Sequence, residues 1–383
     1  MSSPVTLACP LLPVDVWEKI IDCISLQRLP NKTLAACART CRSWSLRSRY
    51  HLYQVATIRG ENQLYSFHKA LIAHPENADF VRELTVVWHQ DWDNSTLQNI
   101  FSFPLLLARR LPHLQRVTIY SSLEQPPPVL STCHFVALRE LKLVSSLLLN
   151  AVQFRTKADF YHFITSFPSL SVLECYNVIW ARTGSHSCST RPGGHDVRLP
   201  LNSLCAEELT LSCLQLLLQD TSPSLQHLKI ECTDLWSSSS DSNQLPRASG
   251  TPAALPATSS PIPLLHFTRL RTFDLYVPLD VSDPSILIAI LSEIQSGDIS
   301  KLTLQLSGEH IGVDSITNLA LLNDALDDLL SSNRFARLQD LNFIFHFDEA
   351  AKDCDRYRDK IVTKLPKSAA HHRENLTVKA DTR

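Results

Sequence analysis

The chain has 383 residues, of which 44% are apolar and 19% are charged, and its formal net charge is −2. This apolar fraction supports a sizeable core and argues against global disorder, while the near-neutral charge excludes the broad basic surface of proteins that bind nucleic acid or anionic membranes. With only 8 glycines, the chain is also poor in the Gly-rich loops that hold phosphate-bearing cofactors, and we expect no cofactor.

The first residues and the cysteines bear on the cellular compartment. The stretch from Met1 to Pro13 lacks the basic region and long apolar run of a secretory signal. No uninterrupted apolar stretch reaches the length of about 20 residues that a membrane helix needs. The cysteines number 11, and Cys37, Cys175 and Cys213 lie in apolar runs, which favours buried free thiols over disulfides. We therefore expect a cytoplasmic or nuclear protein without a membrane partner.

After a flexible N-terminus over 1–10, residues 11–55 predict a compact helical module. Pro13 suits the first position of a helix, and apolar residues then recur at helical spacing: Val16, Trp17, Ile20, Ile21 and Ile24. A second helix contains Leu34 and a third contains Trp44. Three apolar faces are more than so short a segment buries by itself. One apolar stripe therefore either docks a partner or packs on the rest of the chain.

Two segments of this module resemble the F-box. They are LPVDVWEKIIDCI (12–24) and TLAACARTCRSW (33–44), and their order, spacing and residue types are similar to those of fungal F-box proteins. The resemblance implies docking on a Skp-type adaptor, which bridges to a cullin scaffold. It also implies a set of positions that either face the adaptor or form the core of the module, two roles that the sequence does not separate: Leu12, Pro13, Val16, Trp17, Ile20, Ile21, Leu34 and Trp44.

Residues 56–366 carry a recurring pattern, apolar-x-x-apolar-x-apolar, whose second half alternates as a short strand does. Its occurrences are Val81/Leu84/Val86, Leu114/Val117/Ile119, Leu138/Leu141/Leu143, Leu170/Leu173/Cys175, Ala206/Leu209/Leu211, Leu225/Leu228/Ile230, Leu270/Phe273/Leu275, Ile299/Leu302/Leu304 and Leu338/Leu341/Phe343. Helix-like stretches lie between them at 97–111, 159–167, 285–294 and 318–330. We therefore expect an α/β fold, in which short parallel strands line the inside of an irregular horseshoe and helices cover its outside.

This region resembles the degenerate leucine-rich repeats of fungal F-box proteins. Its spacing is irregular, and the asparagine that usually follows the strand is mostly missing, Asn177 being the nearest candidate. A non-repetitive α/β domain is the alternative. Residues 237–263 are rich in Ser, Pro and Ala, with only Asp241 and Arg247 charged, so we expect a disordered insertion there. The polar tail, 367–383, is expected to be flexible.

No residue pattern predicts catalysis, a metal site or nucleic-acid binding. The sequence lacks a nucleophile-elbow serine and a His-Glu-x-x-His motif. His186, Cys188 and His195 could meet around zinc, but they fit no standard spacing and lack a fourth ligand. His89, Asp91 and Asp93 alternate with Trp88 and Trp92, which favours a surface rim over a metal site. A basic cluster lacks the stacking aromatics that nucleic acid requires: Arg39, Arg42, Arg47 and Arg49.

Together with the resemblance, these observations predict a non-catalytic substrate-recognition adaptor of a Skp–cullin–F-box ubiquitin ligase, with an unknown target protein bound by the repeat domain. One alternative is an F-box scaffold or interaction module that does not direct degradation. A second alternative is an enzyme within the α/β region. That enzyme would need a nucleophile–base pair, for which the sequence offers no candidate.

Overall fold

The computed structural model describes residues 13–27, 31–87, 102–121, 132–180, 198–232, 262–278, 285–307, 324–347, 359, 361–371 and 376–382. The chain divides into two compact units. Unit 1 comprises Met1–Ser145 and Ser166–Ser169, and unit 2 comprises Ser146–Thr165 and Leu170–Arg383. The border expected near residue 55 falls inside unit 1, so the N-terminal helices share a compact unit with the first strands.

Unit 1 begins with three helices: α1 (Val14–Ser25), α2 (Asn31–Thr40) and α3 (Arg42–Gln54). The elements that follow are β1 (Val55–Ile58), α4 (Glu61–Ala73), a 3-10 helix (Pro75–Phe80), β2 (Glu83–Val87), α5 (Phe103–Leu107), β3 (Arg116–Tyr120) and α6 (Thr132–Arg139). Strand β1 pairs in parallel with β2, and β2 pairs in parallel with β3. Buried residues Ala56, Leu84 and Val117 lie in register across these strands.

The strands described in unit 2 are β4 (Ser146–Asn150), β5 (Gln153–Phe154), β6 (Val172–Tyr176), β7 (Ile179–Trp180), β8 (Ser203–Glu207), β9 (His227–Glu231), β10 (Thr272–Pro278), β11 (Lys301–Ser307), β12 (Asp340–Phe347) and β13 (Leu376–Thr382). Its described helices are α7 (Lys157–Thr165), α8 (Leu211–Gln219), α9 (Ser285–Ser292), α10 (Asp324–Leu330) and α11 (Pro366–His371). Strands β4, β6 and β8 to β13 form a parallel sheet in that order, while β5 pairs separately with β7. A mixed α/β fold with a long parallel sheet is thereby confirmed.

The unit 2 sheet is built on two rows of buried apolar side chains. The first row contains one apolar residue from near the start of each strand, in register with its neighbours: Leu147, Leu173, Leu204, Leu228, Phe273, Leu302, Leu341 and Leu376. The second row lies two residues further along: Leu149, Cys175, Ala206, Ile230, Leu275, Leu304 and Phe343. Because side chains alternate across a strand, both rows point to one face, and the residues between them point to the other.

Two predicted triplets were wrong in register: Leu138/Leu141/Leu143 and Ala206/Leu209/Leu211. In the first case the strand is β4, where Leu147 and Leu149 fill the two core positions. In the second case the strand is β8, in which Leu204 and Ala206 fill the two core positions, whereas the predicted triplet had Leu209 as its central residue. Apolar residues also precede β4 and follow β8, so their spacing fits two registers. Pairing with the neighbouring strands selects one of them.

The helical stretches expected at 97–111, 159–167, 285–294 and 318–330 correspond to α5, α7, α9 and α10. Most of the predicted insertion, 237–261, lies outside the described residues; the chain resumes at Ile262, which is buried. The region expected as a flexible tail differs from that expectation, since it contains most of α11 and strand β13. Strand β13 extends the ladder of β12, with Leu376 against Leu341, and the buried Leu376 continues the first row.

Three successive strands of this sheet end in the same unusual turn. Ala151, Asn177 and Glu208 follow β4, β6 and β8 directly and have left-handed backbone, with φ of 56°, 50° and 54°. The N–H of each donates to the carbonyl oxygen of the last residue of the next strand, at 2.7 to 2.9 Å. Asn177, singled out from the sequence, therefore occupies a turn position that alanine and glutamate fill elsewhere.

Candidate functional site

The three N-terminal helices share a core to which α1 contributes one face. Trp17, Ile21 and Leu34 are buried there, with Trp17 only 7% exposed, and Trp44 is partly buried against them. Residues Trp17 and Ile21 are one helical turn apart, so they point the same way. These four predicted site residues are therefore core positions in the structure.

A second apolar row on α1 remains on the surface. Val16 and Ile20, one helical turn apart, are 41% and 42% exposed, and Cys23 in the following turn is also exposed. We call these three residues the exposed α1 row. Pro13 is exposed at the start of the same helix, and Leu12 lies outside the described residues. The structure thus separates two sets of positions that the sequence left merged.

Asp22 ties α1 to α3 next to this row. Its carboxylate accepts hydrogen bonds from Nε and Nη2 of Arg47 at 2.6 and 2.7 Å, and its Oδ1 lies 2.7 Å from Nε2 of His51. The hydrogen bond from Arg47 lowers the pKa of Asp22 to about 2, so the carboxylate stays charged at neutral pH. A two-pronged arginine–carboxylate pair constrains orientation as well as distance, and it fixes how α1 sits on α3.

Other residues in the same part of α3 contact the 3-10 helix (Pro75–Phe80). Arg49 pairs with Glu76 at 3.2 Å, and Tyr50 meets Phe80 edge to face with ring centroids 5.9 Å apart. Of the four arginines that form a basic cluster in the sequence, Arg47 and Arg49 are therefore used in ion pairs within the unit. These contacts join α3 to the 3-10 helix that precedes β2.

The face of the unit 2 sheet opposite its core carries polar residues. One row in register across β6, β8, β9, β10, β11 and β12 consists of Glu174, Cys205, Lys229, Asp274, Thr303 and Asn342. A neighbouring row begins with Tyr176, Glu207 and Glu231. We call Glu174, Glu207, Glu231 and Asp274, together with Lys229, the acidic sheet face. By the same alternation, Lys301, two residues before Thr303, is a second cation on this side of the sheet.

Hydrogen bonds link several members of this face. Lys229 Nζ lies 2.6 Å from Glu207 Oε1, to which the Cys205 thiol also donates at 3.3 Å. Tyr176 Oη donates to Glu174 Oε2 at 3.3 Å. Burial and the nearby Glu207 carboxylate raise the pKa of Cys205 to about 12, so this thiol is protonated at neutral pH and acts as a donor. Burial is the largest single effect on Lys229 and lowers its pKa, but the hydrogen bond to Glu207 and the charges of Glu207 and Glu231 together raise the pKa above its ordinary value.

The structure also bears on the metal donors, the buried cysteines and the membrane helices considered from the sequence. Within the described residues, no group of three or more His, Cys, Asp or Glu side chains could hold a metal ion. The donor sets His186/Cys188/His195 and His89/Asp91/Asp93 lie outside the described ranges. Cys37, Cys175 and Cys213 are free and buried, which confirms that expectation. Of the helices that the structure describes, none is long and apolar enough to cross a membrane.

Sequence-based signals could have found part of these two surfaces. The alternation within each strand places Glu174, Lys229 and Asp274 on the face opposite the core, but it does not show which strands are neighbours. The Asp22–Arg47–His51 cluster had no sequence signal, because its members come from two helices that meet only in the folded unit.

Comparison with known proteins adds little to this description. No family model and no curated protein matches the sequence. Among solved structures, an internalin from Listeria monocytogenes is similar at a TM-score of 0.31 and 12% sequence identity, over 85% of this chain and 90% of that chain. At this TM-score the likeness bears on neither the function nor the partners of the present chain. The geometry of the present chain defines a mixed α/β protein with three N-terminal helices and a long parallel sheet.

Proposed function

We propose that this protein is a non-catalytic substrate-recognition subunit of a Skp–cullin–F-box ubiquitin ligase, acting in the cytoplasm or nucleus. The N-terminal helices dock on a Skp-type adaptor, and the leucine-rich-repeat-like sheet of unit 2 binds the target protein. The observation that carries the proposal is the exposed α1 row, Val16, Ile20 and Cys23, which remains on the surface after Trp17 and Ile21 have entered the core.

The exposed α1 row has the character of a docking site. An amphipathic helix commonly binds a partner by laying residues at i, i+4 and i+7 into an apolar groove. Val16, Ile20 and Cys23 have this spacing, and they lie within the segment that resembles the F-box. The Arg47–Asp22 pair holds the helix in a fixed orientation, which lowers the entropic cost of binding.

The target-binding part of the proposal is supported by the repetition in unit 2. Its sheet repeats two buried apolar positions in register, and three of its strands end in the same left-handed turn. Repeat proteins of this kind stack similar units and use the surface that the stack creates to bind partners. The polar face of the sheet is such a surface.

The test is the affinity of the full chain for a purified Skp-type adaptor, measured by calorimetry. Replacing both Val16 and Ile20 by alanine removes about 1–2 kcal/mol of apolar burial at the interface, so we expect binding about tenfold weaker. Val14→Ala is the matched control, because Val14 is 57% exposed on the same helix but points away from the row. Thermal unfolding of each variant reports whether the fold is retained.

Two outcomes separate the alternatives. Unchanged adaptor binding by the Val16→Ala/Ile20→Ala variant, with the fold intact, would remove the exposed α1 row as the docking site. Capture of the adaptor without a cullin from cell extract would favour an F-box scaffold that does not direct degradation. Capture of both would support the ligase subunit.

A further inference from the structure

An open groove of about 550 Å³ crosses the starts of three neighbouring strands in unit 2. Its lining includes Arg271 before β10, Asp298 and Ser300 before β11, and Arg337, Leu338 and Gln339 before β12. We call it the strand-start groove. The N–H of Ser300 donates to the carbonyl oxygen of Arg271 at 2.8 Å, and the N–H of Gln339 donates to that of Ser300 at 2.7 Å. The sheet ladder therefore fixes how the three turns lie beside one another.

Arg271 brings an unused cationic group to this groove. Its side chain is exposed, and within the part of the chain that the structure describes its guanidinium group has neither a hydrogen bond nor an ion pair. The contacts from Ser300 and Lys301 go to the carbonyl oxygen of Arg271 instead. Because a guanidinium group carries five N–H donors in a planar fork, Arg271 presents its whole donor set to solvent.

Arg337 lines the same groove and is oriented by Asp298. Its Nη1 lies 2.6 Å from Asp298 Oδ1, and the two side chains are 72% and 52% exposed. This contact uses one terminal nitrogen and leaves the other donors of Arg337 without a partner among the described residues. Exposed ion pairs are weak, so a second carboxylate can share Arg337 with Asp298.

The charges around the groove leave it cationic. The stretches that lead into the three strands, 262–271, 293–300 and 331–339, carry a net charge of +2 from four arginines and two carboxylates: Arg269, Arg271, Arg334, Arg337, Glu293 and Asp298. Lys301 and Asp340, which begin β11 and β12, oppose each other in register, so their charges cancel. Within the groove lining itself, two arginines and one aspartate leave a charge of +1.

This charge and shape select a carboxylate on a chain segment. A guanidinium group binds a carboxylate through two parallel N–H···O bonds. One carboxylate neutralises the groove, whereas a phosphate group carries about −1.5 to −2. Most of the lining is exposed, with Leu338 as a buried floor, so an occupant lies across the groove. Strands are about 4.8 Å apart, and three strand starts therefore span about 10 Å, the length of about three extended residues.

We propose that the strand-start groove binds an acidic segment of a partner protein, in which one glutamate or aspartate carboxylate is shared by Arg271 and Arg337. The Ser300 hydroxyl and the Gln339 amide lie beside them and can hydrogen-bond the backbone of the segment. The identification of this partner as the ubiquitination target rests on the proposed function. The binding chemistry itself rests only on the geometry of unit 2.

The test uses the full chain and an oligoglutamate peptide labelled with an uncharged fluorophore, with binding followed by fluorescence anisotropy. We expect saturable binding that weakens as salt rises, since exposed charges are screened, and no binding of the matched oligoglutamine peptide. Arg271→Gln should weaken binding about fivefold. Arg271→Lys keeps the charge but loses the planar fork, so it should restore only part of the affinity.

Asp298→Asn gives a readout of opposite sign. It removes the carboxylate that competes for Arg337, so oligoglutamate should bind about twofold more tightly. A purely structural role of the Arg337–Asp298 pair would produce no such gain. Arg269→Gln is the matched control, because Arg269 is exposed and makes the same change of charge two residues from Arg271 but does not line the groove. Thermal unfolding should give the same melting temperature for Arg271→Gln and the wild type, since Arg271 has no partner to lose.

Several results would overturn the inference. Absence of saturable oligoglutamate binding would do so, as would wild-type affinity in Arg271→Gln or weaker binding by a folded Asp298→Asn variant. An equal loss in Arg269→Gln would mean that only general charge is sensed, and tighter binding of a matched phosphoserine peptide would remove the assignment of a carboxylate. Adaptor capture by a chain that does not bind the peptide would refute this inference alone. Peptide binding by a chain that does not capture the adaptor would refute the proposed function alone.

Discussion

In unit 1 the candidate surface is apolar and comes from a single helix, α1, whereas in unit 2 it is polar and comes from strands separated by long connections. Val16, Ile20 and Cys23 are brought together by helical periodicity alone. Glu174, Lys229 and Asp274 become neighbours only when β6, β8, β9 and β10 pair in register. An apolar row contributes binding energy by burial, while a polar face contributes selectivity through paired charges.

The largest expected effect comes from truncating one residue in the buried row of α1 and comparing it with one in the exposed row. Trp17→Ala should destabilise the protein by about 3–5 kcal/mol, because it opens a cavity in the core of the helices. Ile20→Ala, at an exposed position, should change stability by less than about 0.5 kcal/mol. Chemical denaturation of both variants is the measurement, and similar losses in the two would show that the row at Ile20 is also part of the core.

The same comparison of stability losses can be made between the apolar and the polar face of the unit 2 sheet. Leu228 is buried in the first row of the unit 2 sheet, so Leu228→Ala should lower stability by about 2–5 kcal/mol. Lys229→Met, one residue further on and on the opposite face, should cost much less, since its long aliphatic stem is kept and its ion pair is partly exposed. Urea denaturation midpoints compare them; a larger loss for Lys229→Met would mean that the polar face, not the apolar one, holds the sheet together.

A smaller effect concerns the pair that orients α1. The pKa of Asp22 is about 2, below its ordinary value of 3.8, so the folded state favours the charged carboxylate. The resulting stability is present above a pH of about 4 and is lost as the pH falls through about 2. Asp22→Asn should therefore lower stability by about 1 kcal/mol at neutral pH, a figure reduced for solvent screening because the carboxylate is 37% exposed.

The pH dependence of this variant is the measurement. The difference between wild type and Asp22→Asn should shrink as the pH is lowered towards 2, where the carboxylate of the wild type is protonated. Glu83→Gln serves as the control, since Glu83 forms a looser pair with Arg116 at 4.0 Å on an exposed surface. A difference between Asp22→Asn and wild type that stays constant with pH would argue against the pair as its cause.

The smallest expected effect concerns the turn that three strands share. Glu208 is an exposed residue with φ of 54°, a region that glycine adopts without steric cost. Glu208→Gly should stabilise the protein by about 0.5 kcal/mol, after the greater flexibility of glycine in the unfolded chain is subtracted. Asn177→Gly should gain less, because asparagine tolerates this region better. Thermal melts that rank the two variants the other way would contradict this account.

Local patterns in the sequence predicted most elements of the fold but not all their registers. The helices α1 to α3 followed from apolar residues at helical spacing, and most strands followed from the recurring triplet. The triplets at Leu138/Leu141/Leu143 and Ala206/Leu209/Leu211 failed because further apolar residues precede β4 and follow β8 at the same spacing. Neither periodicity nor composition indicates which register a neighbouring strand will accept.

By itself the sequence determined that α1 is amphipathic, that short strands alternate with helices, and that cysteines such as Cys175 lie in the core. These properties depend on residues a few positions apart, whose relation the backbone geometry fixes. Only the tertiary structure decided that Trp17 enters the core while Ile20 stays exposed, that Arg47 clamps Asp22, and that Asp274 lies next to Thr303 in the sheet. Each of these depends on residues far apart in the chain, and packing and strand pairing alone bring them into contact.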